Sequence, residues 1–393
     1  MTENQAGLLS GTLVLDLSRA LAGPQAAMML GDLGARVIKI ESPKGGDDSR
    51  GWGPPFLGEG EDRESTYFMS ANRNKESITL NLKDPEEADI LARLVKQADV
   101  LVENYRVGVL DRLGFSVERL HELNPKLVIL SITGFGHDGP ESNRAGYDQI
   151  AQGEAGLMSV TGINEPTKVG VPIADILAGM NGAFGVAAAL YEAQKTGRGR
   201  VVRTSLIASI GGVHTFQSTR WTIAGEVPGL SGAHHPSIAP YGLFHTATSP
   251  IQLACGSEVL WQKFAPSIGI DPDEPGFATN GERVANRDAL IEKLNAIFAE
   301  KPAEHWLELL EQAGIPAGKV RNIKEVYEWD QFLSQGLLVE VEHATKGKLK
   351  IPGPVIRFDD NAFGGARKEV IPPPALGQHN ESVRTWLDEV EPK

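Results

Sequence analysis

The feature that most restricts this chain is the alternation of short apolar runs with helical stretches over its first 133 residues. Gly11-Thr-Leu-Val-Leu-Asp-Leu reads as a buried strand, Gly23 to Leu33 as a helix, and Arg36-Val-Ile-Lys-Ile-Glu as a second strand. Ser77 to Leu82, Asp99-Val-Leu-Val-Glu-Asn and Leu127 to Ile132 give further strands, and Pro85 to Gln97 has helical spacing. Strands this apolar, separated by helices, belong to a mostly parallel sheet covered on both faces. The predicted class is α/β, with a large domain built on that sheet. The first strand-to-helix turn lacks a G-x-G-x-x-G run, so a nicotinamide dinucleotide finds little support.

Farther along, a small-residue helix runs from Asp175 to about Lys195 and stops at Thr196-Gly-Arg-Gly, where glycine supplies the helix-ending geometry. Val201 to Thr204 is the next strand. The texture changes after about residue 222: Ala224 to His235, rich in Gly, Pro and His, reads as a linker. Beyond it come a strand, Ile251 to Cys255, and helices near Val259 to Ser267, Arg287 to Ala299 and Ala303 to Ala313. The tail from Leu337 carries short strands, the run Pro372-Pro-Pro and a helix near Glu381 to Leu387. The expected division is therefore 1–222 for the first part of the large domain, 223–335 for the linker and a smaller α+β domain, and 336–393 for a segment returning to the large domain.

A formal net charge of -13 argues against nucleic acid or an anionic membrane as general partner. The single cysteine, Cys255, cannot form an internal disulfide, and the first residues lack a basic region followed by a long apolar run, so the expected compartment is the cytoplasm. The most apolar window, Ala178 to Tyr191, is interrupted by glycines and suggests no membrane span. Adjacent His234 and His235 point in opposite directions on an extended chain and have no third ligand at regular spacing, so no metal is expected.

Three sets of residues, in order, carry a resemblance. They are Leu15-Asp-Leu-Ser-Arg-Ala-Leu-Ala-Gly-Pro with Gly34-Ala-Arg-Val-Ile-Lys-Ile-Glu-Ser-Pro; Asn72-Arg-Asn-Lys-Glu-Ser with Val102-Glu-Asn-Tyr-Arg-Val-Gly-Val-Leu-Asp-Arg-Leu-Gly; and Gly146-Tyr-Asp-Gln-Ile-Ala-Gln with Pro172-Ile-Ala-Asp and Thr196-Gly-Arg-Gly. Together they resemble the class III CoA-transferases of the CaiB/BaiF type, over essentially the whole chain. The resemblance implies a Rossmann-like large domain with a small domain, and a homodimer of interlocked subunits. It also implies an acyl-CoA and a small carboxylic acid as partners, with coenzyme A as substrate and no permanently bound cofactor.

By the same resemblance Asp175 is the nucleophile. Read alone, an aspartate before Ile176-Leu-Ala-Gly-Met is an N-cap. The two roles are compatible, because a helix N-terminus favours the ionised carboxylate that attack requires. The implied chemistry is attack of Asp175 on the thioester to give a mixed anhydride and CoA thiolate, return of the thiolate to form an aspartyl-CoA thioester, opening of that thioester by the acceptor carboxylate, and final return of CoA to the acceptor's acyl group. Gly256, in Ala254-Cys-Gly-Ser-Glu, occupies the place of a glycine-bearing loop whose amide faces an oxyanion, although the glycine-rich form is not matched. Cys255 reads as a small buried hydrophobe rather than a reactive thiol. Arg19, Ala20, Leu21 and Ala22 match the segment that holds the adenine and ribose end of CoA. Lys75, Asn104, Tyr105, Arg112 and Arg144 match positions that contact CoA or its phosphates, with Tyr147 and Asp148 beside them.

Two other functions fit the same motifs. Alpha-methylacyl-CoA racemases resemble this pattern but carry His where this chain has Tyr147, and a phenol with an ordinary pKa of about 10 is a poor base at neutral pH. A non-catalytic acyl-CoA-binding protein would keep the cationic set without a reactive Asp175.

Overall fold

The computed structural model describes residues 7–359, 367 and 369–390. The outermost bounds expected for the large domain, residues 1–6 and 391–393, lie outside the described residues. Six strands form one parallel sheet: β1 (Leu13–Asp16), β2 (Arg36–Glu41), β3 (Lys75–Thr79), β4 (Val100–Glu103), β5 (Val128–Thr133) and β6 (Val201–Ser205). Their order is β3-β2-β1-β4-β5-β6. In register, Val14 lies between Val37 and Val100, and Leu130 between Val102 and Val202. These residues line one face, packed beneath α1 (Ala22–Asp32) and α7 (Ile173–Thr196). Leu13, Leu15, Ile38, Leu101 and Ile129 line the other, under α3 (Pro85–Gln97), α5 (Val117–Leu123) and the terminal helix Asn380–Val390. Burial on both faces explains why the strands read as unbroken apolar runs. Four shorter helices complete the elements used below: α2 (Thr66–Ser70), α4 (Val109–Arg112), α6 (Asp148–Glu154) and α8 (Leu206–Val213).

By length and composition alone α7 could cross a membrane. In the fold, one face of it packs on α1, β5 and β6. The fit with α1 is close enough to demand glycine: a Cβ at Gly179 would sit 2.7 Å from the Ala22 carbonyl oxygen.

Several charged groups interrupt the apolar strands. Asp16, Lys39 and Lys75 are fully buried, and Lys75 Nζ donates to Asp16 Oδ2 at 2.8 Å, Pro24 O at 2.9 Å and Asn72 Oδ1 at 2.9 Å. Lys39 Nζ lies 3.7 Å from the same Asp16 oxygen and 2.9 Å from Asp47 Oδ2. Buried charges of this kind persist only when paired and hydrogen-bonded.

The open edge of β3 is covered by residues about three hundred positions downstream. Thr79 N–H donates to Asn380 Oδ1 at 2.8 Å, His379 N–H to the Ser77 carbonyl at 2.9 Å, and Ser77 N–H to His379 Nδ1 at 3.1 Å. Side chains and backbone of the returning segment thus stand in for a seventh strand.

The chain divides into two compact units. Of the described residues, one gathers those up to Leu157, Val169–Ser218 and those from Tyr327 onward; the other holds Met158–Lys168 and Thr219–Val326. The second unit has a three-stranded antiparallel sheet, with Ile251–Ala254 between Tyr241–Phe244 and Ala317–Lys319, and helices Glu258–Ser267, Asn280–Ala285, Arg287–Phe298 and Ala303–Gln312. Its boundaries differ from those suggested by texture. Met158–Lys168 is tied to it by the Gly232 N–H to Gly162 carbonyl bond of 2.9 Å, a contact across 70 residues that no local signal announces. The stretch read as a linker is part of this unit: His235 N–H donates to the Tyr241 carbonyl at 2.8 Å, and the His235 and Tyr241 rings stack with centroids 5.3 Å apart.

Candidate active site

Strand order 3-2-1-4-5-6 reverses direction between β1 and β4, and open parallel sheets bind ligands in the crevice beyond the carboxyl ends of the strands at such a point. The loops that leave β1 and β4 meet there. Arg19 N–H donates to Asn104 Oδ1 and Asn104 Nδ2 donates to the Arg19 carbonyl, both at 2.8 Å. The Arg19 guanidinium lies 5.4 Å from the centre of the Tyr105 ring, and Leu21 and Ala22 are buried where α1 begins. Gly23 is obligatory at this bend, because a Cβ there would fall 2.2 Å from the Ser18 Cβ. The structure therefore brings together Arg19, Ala20, Leu21, Ala22, Asn104 and Tyr105, with Arg112 exposed at the last position of α4 downstream.

Lys75 corrects the expectation of a phosphate contact. It is 1% exposed and its three donors are spent on Asp16, Pro24 and Asn72, so it acts inside the fold rather than on a ligand in solvent. Arg144 is exposed, ion-paired with Glu154 and Glu141, and lies 4.5 Å above the Phe135 ring. Tyr147 is 66% exposed and precedes α6.

Asp175 stands in the first turn of α7, but it is not the cap. Pro172 precedes the helix without a side-chain hydrogen bond, and the capping carboxylate comes from α6: Asp148 Oδ1 accepts Ala174 N–H at 2.7 Å and Asp175 N–H at 3.4 Å. Gln152 Nε2 holds the other oxygen of Asp148 at 2.7 Å. Asp148 thereby fixes the first turn of α7 and places a second negative charge beside Asp175. Among the described residues, nothing hydrogen-bonds the Asp175 carboxylate itself. Burial, and after it the Asp148 charge, push Asp175 up to about 7. This reverses the expected sign: loss of solvent and a like charge outweigh the helix terminus. The result is a basic, poorly solvated carboxylate near neutrality, suited to attack on carbonyl carbon.

Tyr67 and Trp52 belong to the same neighbourhood and were not singled out from sequence. The Tyr67 hydroxyl is pushed up to about 12 by burial and then by Asp175, Asp148 and Asp47, so it stays a protonated donor. Its ring meets Trp52 edge-on, with centroids 4.9 Å apart, and Ser65 caps the short α2 that carries it, accepting Tyr67 N–H at 3.1 Å. The only available signal was an aromatic-rich stretch between two strands, which core packing produces equally well.

Gly256 and Cys255 lie in the second unit. Gly256 is exposed just before Ser257, whose hydroxyl caps the helix Glu258–Ser267. Cys255 is buried, and burial pushes its thiol up to about 12, which makes it inert as a nucleophile. Among the described residues no cluster of three or more His, Cys, Asp or Glu could hold a metal ion. His234 instead packs edge-on against Phe244, ring centroids 5.3 Å apart.

Comparison with known proteins gives the same direction. The family model described as CoA-transferase family III matches residues 9–380. The human protein named succinyl-CoA:glutarate CoA-transferase is 40% identical over 379 residues, covering 95% of this chain and 85% of the relative. The succinate–glutarate CoA-transferase of Agrobacterium fabrum is 37% identical over 394 residues, covering 99% and 98%. A solved CaiB/BaiF family protein from Brucella suis superposes with a TM-score of 0.86 at 37% identity, covering 98% of this chain and all of that one. Sequence and sheet topology agree, and the chain belongs to CoA-transferase family III, enzymes that move CoA from an acyl-CoA to a carboxylic acid.

Proposed function

We propose that this enzyme exchanges CoA between short dicarboxylates, with succinyl-CoA as donor and a glutarate-class diacid as acceptor, through covalent intermediates on Asp175. The substrate class rests on relatives at 40% and 37% identity whose names specify succinate and glutarate. The chemical role rests on one observation: a partly buried carboxylate with no hydrogen-bond partner among the described residues, raised to about 7 at the head of α7. Asp175 attacks the thioester carbonyl, and CoA leaves as thiolate. The thiolate then displaces the acyl carboxylate from the anhydride; the acceptor carboxylate attacks the resulting aspartyl-CoA thioester, expelling CoA thiolate and leaving a second mixed anhydride, and that thiolate attacks the acceptor's acyl carbon to give the new acyl-CoA and free Asp175. Asp175, the CoA thiolate and the acceptor carboxylate all attack as anions, so no general base is required. Tyr67, held protonated near Asp175, is a donor for developing oxyanion charge on the same unit. The crevice loop of Arg19–Ala22 with Asn104, Tyr105 and Arg112 receives the nucleotide end of CoA, while Arg144 exchanges its surface carboxylates for phosphate.

A donor and acceptor screen read by mass spectrometry tests this. Succinyl-CoA with glutarate should yield glutaryl-CoA, and hydroxylamine added during turnover should leave a hydroxamate at Asp175. In deuterated water without acceptor, a chiral 2-methylacyl-CoA should neither exchange its alpha proton nor lose optical purity. Rapid exchange would replace the transferase mechanism by a racemase, and transfer with no label at Asp175 would remove the covalent route.

The active form is a homodimer of interlocked subunits. Support comes from α7, whose outward face carries Met180, Phe184 and Tyr191 at 46%, 79% and 63% exposure on helical spacing. An apolar stripe on the central helix of a soluble enzyme fits a second copy of the same chain. Phe184→Asp should convert a dimer to monomer in analytical ultracentrifugation, and a monomeric wild type at micromolar concentration would refute the assembly.

A further inference from the structure

Ala20 has φ of 65°, a left-handed conformation that a Cβ disfavours. Something must hold it, and the crevice loop is tied from beneath by a buried ion pair. Asp47 Oδ1 accepts Ala20 N–H at 3.0 Å, Ser49 N–H at 2.9 Å and the Ser49 hydroxyl at 2.8 Å. Its other oxygen pairs with Lys39 Nζ at 2.9 Å, and Lys39 Nζ donates to the Ser18 carbonyl at 2.8 Å. The two members of the pair therefore grip the backbone on either side of Arg19. Asp47 is 1% exposed and Lys39 fully buried, so neither meets a ligand directly. Asp47 is itself placed by Glu41, whose Oε2 accepts Asp47 N–H at 3.0 Å.

We infer that Asp47, acting with Lys39, is a positioning residue that holds Arg19–Leu21 in the shape that receives the nucleotide end of CoA. This rests on the assignment of that loop to CoA. Removing Asp47 frees Ala20 to relax to an ordinary negative φ, and the Arg19 carbonyl and amide then leave the register set by Asn104. The loss falls on CoA binding and not on the chemistry at Asp175.

The test is isothermal titration of free CoA, with steady-state kinetics for succinyl-CoA, on wild type, Asp47→Ala and Asp47→Asn. Asp47→Ala should raise the CoA Kd and the donor KM about tenfold, with kcat at saturating donor within about threefold of wild type. Asp47→Asn keeps an oxygen toward Ala20 N–H and should raise both constants about threefold. Ala20→Gly placed in the Asp47→Ala background should recover part of the affinity, because glycine adopts positive φ without penalty. A merely structural role would lower the melting temperature of either variant with Kd and KM unchanged, and that result overturns the inference, as does a fall in kcat at constant KM. If Asp47→Ala does not fold, Asp47→Asn decides by the same criterion. Absence of CoA binding by the wild type would instead remove the assignment of the loop, a failure distinct from unchanged Kd in a variant of a CoA-binding wild type.

Discussion

Asp175→Asn is expected to lose turnover by a factor on the order of 10⁴ or more, yet to be more stable than the wild type above pH 7. The two effects share one cause. Burial and Asp148 raise the folded-state pKa from 3.8 to about 7, so between these values the folded protein binds more protons than the unfolded chain. Folding stability from this group is therefore greatest below the unfolded value, falls as pH rises, and is fully lost above about 7. At about 1.4 kcal/mol per unit, the ionised carboxylate costs the wild type up to roughly 4 kcal/mol at pH 8, and the amide removes that cost. Urea denaturation at pH 4.5 and pH 8 should show the variant gaining on the wild type as pH rises. A variant less stable at pH 8, or one retaining wild-type turnover, contradicts the role assigned to Asp175.

Lys39→Met should cause a large loss of stability. Lys39 is fully buried between Asp16 and Asp47, and its ammonium is held well above the ordinary lysine range by those carboxylates against the opposing effect of burial. Lys75 cannot replace it: burial holds that amine down to about 8, and it is committed to Asp16. Removing one partner of such a cluster leaves a buried carboxylate uncompensated, at about 3–5 kcal/mol. The double variant Lys39→Met/Asp47→Asn removes the stranded charge and should recover a substantial part. Equal stability of single and double variants would show that the pair is not coupled.

Much of the large unit was legible because its strands are buried on both faces. β2 occupies Arg36–Glu41 as the apolar run indicated, and α3 occupies Pro85–Gln97, where Asp84 caps the helix and Pro85 opens it. The site was legible in its parts and not in its assembly. Asp175 was assigned by resemblance, but Asp148, which both caps α7 and opposes Asp175, comes from 27 residues upstream, and spacing alone could not join them. The sign of the Asp175 shift was misjudged for that reason: a helix N-terminus is visible in a sequence, whereas desolvation is not. Lys75 was read as a contact to CoA or its phosphates because its motif matches such a position, although it is buried at the start of a strand in the sheet. A usable signal existed in Asp16 and Lys39. Each is a charge inside a run that otherwise reads as doubly covered strand, and such charges require each other or a third partner.

The covered edge of β3 also has a consequence in time. Thr79 waits for Asn380, 301 residues later, and at synthesis rates of about 5–20 residues per second that is an interval of roughly 15–60 s. Until residue 380 has emerged, the growing sheet presents a bare parallel edge that another nascent chain could extend. Protection during that interval cannot come from the returning segment, so yield in a cell should depend on holdase capacity more than the stability of the finished fold would suggest.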